Sequence, residues 1–440
     1  MLYTPRITEK NSLINSLLYL FYLGFLVSVA GSFRAISSIA IGLILVTTFL
    51  KNKTDTGSWF NSSLRNRYMI ACSLFFLLQL IPLAYTGNFI ESWKHVQVKS
   101  ALLFIPACFY ACTYINKARF NALMTAYVYI LAIMLTWCLG IAFINYHFHQ
   151  APITVFFYHQ LVSDLGHNAV QFSILVFAGV IYLVQIAAQG RYLVNKSVHL
   201  LLTGYLIGGI LLLSSKLVIV FLLGYLVYYM FILLQKKLNT RWAITVVAVT
   251  GMLLCSSILL TQNPISDRFN DIMHGNPAVW QQPSFDKGDY FNGVQFRLLQ
   301  WRFVKEILQE NNAWFFGVTP AGAQRLLDQK YVSVNMYIGV PGSADHGFLG
   351  YNAHNQFLEA LLQTGLIGLI CFIVICFEMI RMAVKQKSNL LSVLVMLLLA
   401  YAFSESVLET QYGLIIFIFF PLLFFFGQTD QAGYVQLKVK

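Results

Sequence analysis

Charge is what this sequence has least of. Asp, Glu, Lys and Arg make up 10% of the 440 residues, against about 25% in an average soluble domain. With 58% hydrophobic residues, the chain has too few polar groups to cover a water-facing surface, and lipid must solvate most of it. Also missing are a phosphate-cradling Gly-rich loop and a zinc-protease helix motif, which argues against nucleotide chemistry, metallohydrolysis and a cytosolic energy source. All seven Cys lie in or beside apolar segments, so a structural disulfide in the large exposed segment described below is excluded. Cys108 and Cys112 share a helix face and read as packing residues.

What is present is a succession of long apolar runs. Candidate spans fall at 13–31, 34–50, 68–86, 98–115, 121–144, 167–188, 198–213, 217–234, 242–261, 355–380, 389–405 and 411–427, about twelve in all. The first is followed by no polar mature chain and reads as a retained span. The net charge of +12 would suggest nucleic acid in a soluble protein, but its distribution argues otherwise. With the N-terminus placed in the cytoplasm, every inner connection is basic: Arg6/Lys10, Lys51/Lys53/Arg65/Arg67, Lys117/Arg119, Arg191/Lys196, Lys236/Lys237/Arg241, Arg381/Lys385/Lys387 and Lys438/Lys440. The short outer connections carry only Arg34, Lys94, Lys99 and Lys216, and residues 145–166 contain no Lys or Arg. This asymmetry predicts N-in, C-in orientation, and membrane lipid in place of a nucleic-acid partner.

The expected fold class is all-α: a polytopic membrane helix bundle with one large extracytoplasmic helical loop. Residues 1–261 form about nine spans, 262–353 the loop, and 354–440 about three spans with a cytoplasmic tail. The loop's eight acidic residues, seven basic residues and five prolines mark a small folded module. Within it, 297–310 places Leu298, Trp301, Val304 and Leu308 at helical spacing, an amphipathic helix expected on the bundle or at the lipid surface. A second helix is predicted over 320–331, capped by Thr319 with Pro320 in its first turn. Asn352 is the expected cap of the span that follows.

That junction, Tyr351-Asn-Ala-His354-Asn-Gln-Phe-Leu-Glu359, puts His354 in the first turn of a membrane helix. There the helix dipole disfavours a positive ring, leaving a neutral imidazole able to take a proton from a hydroxyl. The bland reading, a histidine that caps the helix or sits at the interface, stays open beside it.

His-Asn-Gln-Phe-Leu-Glu opening a span, followed by Gln363-Thr-Gly-Leu-Ile-Gly368, resembles the signature of the O-antigen ligase-related family. Phe296-Arg297-Leu-Leu-Gln-Trp301 and Trp314-Phe-Phe-Gly317 are similar to that family's loop pattern. Ser214-Ser215-Lys216 stands where members commonly show Ser-Arg, and Ser404-Glu405-Ser406 with Glu409-Thr-Gln-Tyr-Gly413 looks like a recurrent ending. The resemblance implies inverting transfer of a glycan from an undecaprenyl-diphosphate carrier to an acceptor hydroxyl at the outer face of the bacterial inner membrane, without cofactor or metal. It implies His354 as the base, with Arg297 and Lys216 on the diphosphate, since charge develops on a leaving diphosphate and Arg grips phosphate oxygens in a fork. Lys216 departs from the family's Arg and loses that bidentate geometry; a snorkelling lysine is its bland reading. Arg302, Lys305 and Arg325 are second choices at a different helical phase.

Other polar groups carry two readings each. Glu405 and Glu409, expected one turn apart at the outer end of the last two spans, orient Arg297 and bind sugar hydroxyls, or face water; Glu359 shares the ambiguity. The connection holding His147, His149, His159 and His167 has only Asp164 as a carboxylate partner, so an aromatic belt or glycan cleft is preferred to a metal site. His167 is kept as a sugar-binding candidate. The acceptor stays open between lipid A-core (a ligase), a second lipid-linked glycan (a polymerase) and a protein hydroxyl (an O-oligosaccharyltransferase). From a different class, a lipid-linked-glycan flippase would place ionisable groups deep in mid-span, and a non-catalytic scaffold would have little use for His354 beside cations.

Overall fold

The computed structural model describes residues 5–59, 65–84, 87–235, 238–242, 278–340, 342–343 and 345–428, with isolated positions between 244 and 270. The expected span over 242–261 and the tail beyond 428 lie outside the described residues, isolated positions apart. The helices are α1 (Pro5–Ala30), α2 (Arg34–Thr56), α3 (Arg67–Leu80), α4 (Phe89–Lys99), α5 (Ala101–Tyr110), α6 (Lys117–Phe148), α7 (Tyr158–Leu161), α8 (Ala169–Ala188), α9 (Lys196–Leu212), α10 (Lys216–Gln235), α11 (Gly293–Glu310), α12 (Pro320–Ser333), α13 (Gln356–Gln386), α14 (Asn389–Ser404) and α15 (Gln411–Gln428). Among the described residues there is no strand.

Eight of these helices are long and apolar enough to cross a membrane: α1, α2, α3 with the turn that extends it to Ala84, α6, α8, α10, α13 and α15. α9 and α14 are apolar but shorter. The bundle is all-α and multi-pass; the described residues do not reach the expected twelve spans. One difference is physical. The run expected over 98–115 contains only the short α5, which continues from the polar-faced α4 through Ser100, itself in helical conformation (φ −58°, ψ −26°).

The chain divides into two compact units. The first comprises Met1–Tyr22, Ser38–Phe120 and Gly275–Lys440. Its centre is α15, buried from Tyr412 to Gly427, whose Phe419 and Phe426 rings pack 5.4 and 5.7 Å from Phe109 of α5. Tyr22 stacks on Tyr114 at 5.7 Å on the same core. A second core lies in the loop module, where Leu299, Phe303 and Ile307 of α11 meet Leu327 and Tyr331 of α12 and Leu362 of α13. The module therefore shares its hydrophobic core with the first turns of a span.

The second unit comprises Leu23–Ser37 and Asn121–His274. Here small residues let helices approach closely. A Cβ on Gly179 of α8 would come within 2.9 Å of Leu131, and one on Gly209 of α9 within 2.4 Å of Leu135, both on α6.

Candidate active site

Helix α11 starts where a capping box fixes it: the Asn292 side chain accepts from the Val294 and Gln295 amides at 3.1 and 3.0 Å, and Gln295 accepts from the Asn292 amide at 3.0 Å. The buried stripe is Leu299, Phe303, Val304, Ile307 and Leu308, packed within the module. The expected stripe through Leu298 and Trp301 is corrected: both are half-buried, and Trp301 turns to the end of α14, meeting Phe403 edge-on at 5.5 Å. Arg297, one turn earlier on that face, reaches the same end and donates from Nε to the Ser404 carbonyl at 2.9 Å. The Arg-to-Trp spacing thus clamps α11 onto the last turn of α14.

The expected cap of α13 is also corrected. Asn355, not Asn352, caps the helix, accepting from the Phe357 and Leu358 amides at 2.9 and 3.1 Å. His354 therefore sits ahead of the first turn, in left-handed backbone (φ 43°). Asn352 holds it there by accepting from the His354 amide at 3.0 Å, while its own carbonyl accepts from Gln300 at 2.6 Å. The neighbouring Ala353 amide donates to Glu359 at 3.1 Å. Three hydrogen bonds at and just before it fix a strained residue, the condition under which such backbone persists.

This geometry brings His354 and Arg297 to one carboxylate. His354 Nδ1 lies 2.7 Å from Glu405 Oε2, and Arg297 Nη2 donates to Glu405 Oε1 at 2.6 Å. Arg297 Nη1 donates to the Gly293 carbonyl at 2.8 Å. Three of five guanidinium N–H donors are thereby engaged, and two are left for a ligand. Burial works against ionisation of Glu405, but the His354 hydrogen bond and the His354 and Arg297 charges outweigh it and hold the carboxyl below its ordinary range. An ionised Glu405 accepts from His354 Nδ1, so in the neutral ring Nε2 is the nitrogen that carries the lone pair. His354 is 21% exposed and Arg297 30%, so both are accessible from solvent.

Glu405 and Glu409 do not share a helix face, contrary to expectation. α14 ends at Ser404, Glu405 is extended (φ −149°, ψ 150°), and a single 3-10 turn follows at Val407–Glu409. The two carboxylates serve different partners. Glu409 pairs with Lys99 at 3.0 Å and lies 3.7 Å from His95. Its own burial opposes ionisation, but Lys99 and His95 draw the carboxyl down to about 2. Lys99, 1% exposed, also donates to Gln79 and Gln363. Gln363 donates in turn to Glu359 at 2.7 Å, and Glu359 accepts from Ser406 at 3.2 Å. Glu359 therefore belongs to a buried network that ties the 405–410 connection to the start of α13. Composition gave no hint of this network, whose one signal was a lysine and two glutamines inside apolar stretches.

A backbone interlock supports the site from below. Gly365 breaks α13 with φ 67°, ψ −163°, a conformation open essentially to glycine alone. Into the break fits the segment Trp314–Thr319: the Leu366 amide donates to Trp314, Val318 to Leu362 and Thr319 to Gln363, at 2.8, 2.8 and 3.1 Å. Gly317 completes the fit, since a Cβ there would lie 2.5 Å from the Gln363 backbone. Two motifs far apart in sequence are halves of one joint.

Lys216 and His167 belong to the second unit. Lys216 opens α10, and His167 is buried with Nε2 2.9 Å from the Val29 carbonyl. Of the second-choice cations, Arg302 is spent on Glu306 and on the Trp280 and Gln282 carbonyls, while Lys305 and Arg325 are exposed. In the histidine-rich connection, His147 stacks on Phe143, His159 accepts from the Ala169 amide, and Asp164 accepts from Trp137. Among the described residues no group of three or more His, Cys, Asp or Glu is placed to hold a metal.

Residues 201–373 match the family model described as O-antigen ligase. Over that stretch the chain is similar to the O-antigen ligase family. No curated protein matches the chain. The O-antigen ligase match takes in Arg297, the interlock and His354 and stops short of Glu405. Glu405, which the sequence offered as a group to orient Arg297, lies beyond the matched residues.

Proposed function

We propose that this chain is a glycosyltransferase that moves a glycan from an undecaprenyl-diphosphate carrier to a lipid A-core hydroxyl, at the outer face of the inner membrane. The observation that carries the reading is His354 and Arg297 converging on Glu405. His354 Nε2 takes the proton of the acceptor hydroxyl as its oxygen attacks the anomeric carbon. The bond from that carbon to the phosphate oxygen breaks, its electron pair leaves with the polyprenyl diphosphate, and the anomeric centre inverts. Glu405 holds the ring through Nδ1 and stabilises the imidazolium as it forms. Arg297 turns its remaining donors to the leaving phosphate oxygens. Lys216, by family resemblance, supplies a further positive charge.

Purified protein in liposomes with lipid-linked donor and lipid A-core acceptor tests this directly. Transfer is expected with the intact chain and absent from His354→Ala and Arg297→Ala; activity in both variants would sink the mechanism. Transfer only to a second lipid-linked glycan would reassign the chain as a polymerase, and transfer only to a peptide hydroxyl as a protein O-oligosaccharyltransferase. Lipid movement across the bilayer with no new glycosidic bond would make it a flippase.

A further inference from the structure

Helix α13 has 31 residues, about 46 Å at 1.5 Å per residue, too long for a hydrocarbon core of about 30 Å. The break at Gly365 divides it into two parts with different surroundings. Residues 356–365 include no exposed side chain, because the loop module and the neighbouring helices enclose them. Immediately past the break an exposed apolar stripe begins, with Ile367, Ile370, Ile373, Phe377 and Ile380 each between 41% and 59% exposed. The apolar run from the break to the basic turn at Arg381, residues 366–380, measures about 22 Å. Gly365 therefore marks where the enclosed part of α13 ends and its exposed apolar face begins.

The segment docked into the break is held at that same level by its backbone hydrogen bonds to Leu362, Gln363 and Leu366. Its three aromatic side chains face outward: Trp314 is 37% exposed, Phe315 66% and Phe316 74%. Adjacent phenylalanines so exposed are costly in water, whereas aromatic rings at the headgroup boundary are the usual membrane anchors.

We propose that Trp314, Phe315 and Phe316 form a membrane-interface anchor, inserted where headgroups meet acyl chains, which seats the loop module on the lipid surface. The occupant of this surface is phospholipid. Two features together place it there: the interlock, which holds the segment beside Gly365, and the exposed apolar stripe that begins at Ile367. The inference concerns seating alone and stands apart from the glycosyl-transfer reading.

Photo-crosslinking in native membranes tests it on the full chain. With p-benzoylphenylalanine replacing Phe316, irradiation is expected to give phospholipid adducts at a yield like that of a control at Ile370. A control at exposed Lys305 on α11 should give none. Adducts solely to another protein, or a yield no greater than at Lys305, would overturn the anchor. As a second measurement, the fluorescence difference between the intact protein and Trp314→Phe isolates one indole. Phospholipids brominated near the headgroup should quench it more than those brominated at the chain ends; an unquenched indole contradicts the proposal.

Discussion

Glu405 accepts from His354 and Arg297 on its two oxygens, and this doubling sets what each substitution should do. Glu405→Gln keeps the shape but removes the charge, and its amide can donate to Nδ1 as readily as accept from it. The ring then loses both its tautomer and its counter-charge. Turnover is expected to fall by about 10²-fold or more, the scale of general-base assistance, with little change in KM for the acceptor; an unchanged kcat would show that Glu405 only caps the end of α14. Arg297→Lys retains a point charge but cannot reach Ser404, Gly293 and Glu405 together. At about 1.5–3 kcal/mol per hydrogen bond to a charged group, a loss of roughly tenfold to hundredfold in transfer is expected. Lys216 offers the reverse experiment: Lys216→Arg restores the family's residue, and at least unchanged transfer beside a loss in Lys216→Ala is the outcome that assigns it to the diphosphate.

At the scale of elements, the joint between Trp314–Thr319 and α13 should tolerate least. A Cβ on Gly365 would lie 2.2 Å from the Phe315 carbonyl, and the backbone there costs any other residue about 1–3 kcal/mol before that clash is counted. Gly365→Ala is therefore expected to lower the thermal midpoint and expose the loop module to protease, while Gly42→Ala on α2, where an added Cβ would meet nothing within 4 Å, serves as a comparison of smaller effect. The sequence made much of this architecture legible. Hydropathy found α13 and α15, the Thr319-Pro320 pair announced α12, and a capping-box pattern was there to be read before α11. The helix break was not legible, because hydropathy is blind to φ and Gly365 is flanked by apolar residues that continue the run. Of the expected stripe Val304 and Leu308 are buried, while Leu298 and Trp301 are half-buried, because α11 packs on two sides and a single-face periodicity averages them. His354 was placed one turn too deep because Asn352 and Asn355 are both acceptable caps, and only Gln300 binding the Asn352 carbonyl decides between them.

At the scale of the whole molecule, stability should carry a pH signature from the buried pair Lys99–Glu409. Its partners lower the folded-state carboxyl of Glu409 from an ordinary 4.5 to about 2. A depressed carboxyl contributes stability that is complete above the unfolded value and is lost as pH falls from about 4.5 through about 2. Glu409→Gln, which leaves Lys99 buried without its charge partner, is expected to cost about 3–5 kcal/mol at neutral pH. The gap between variant and parent thermal midpoints should narrow below about pH 4; a gap that stays constant with pH would mean that the pair is not ionised in the fold. The span between the break at Gly365 and His354 has a consequence of its own. With the module seated on lipid as proposed above, the short half-helix 356–364, about 13 Å long, acts as a stand-off that sets the working height of the imidazole. A donor whose scissile bond projects by a diphosphate linker matches one fixed height, and a monophosphate-linked carrier bearing the same glycan should fall short, which side-by-side assays of the two donors would reveal as a loss of turnover that added substrate does not restore.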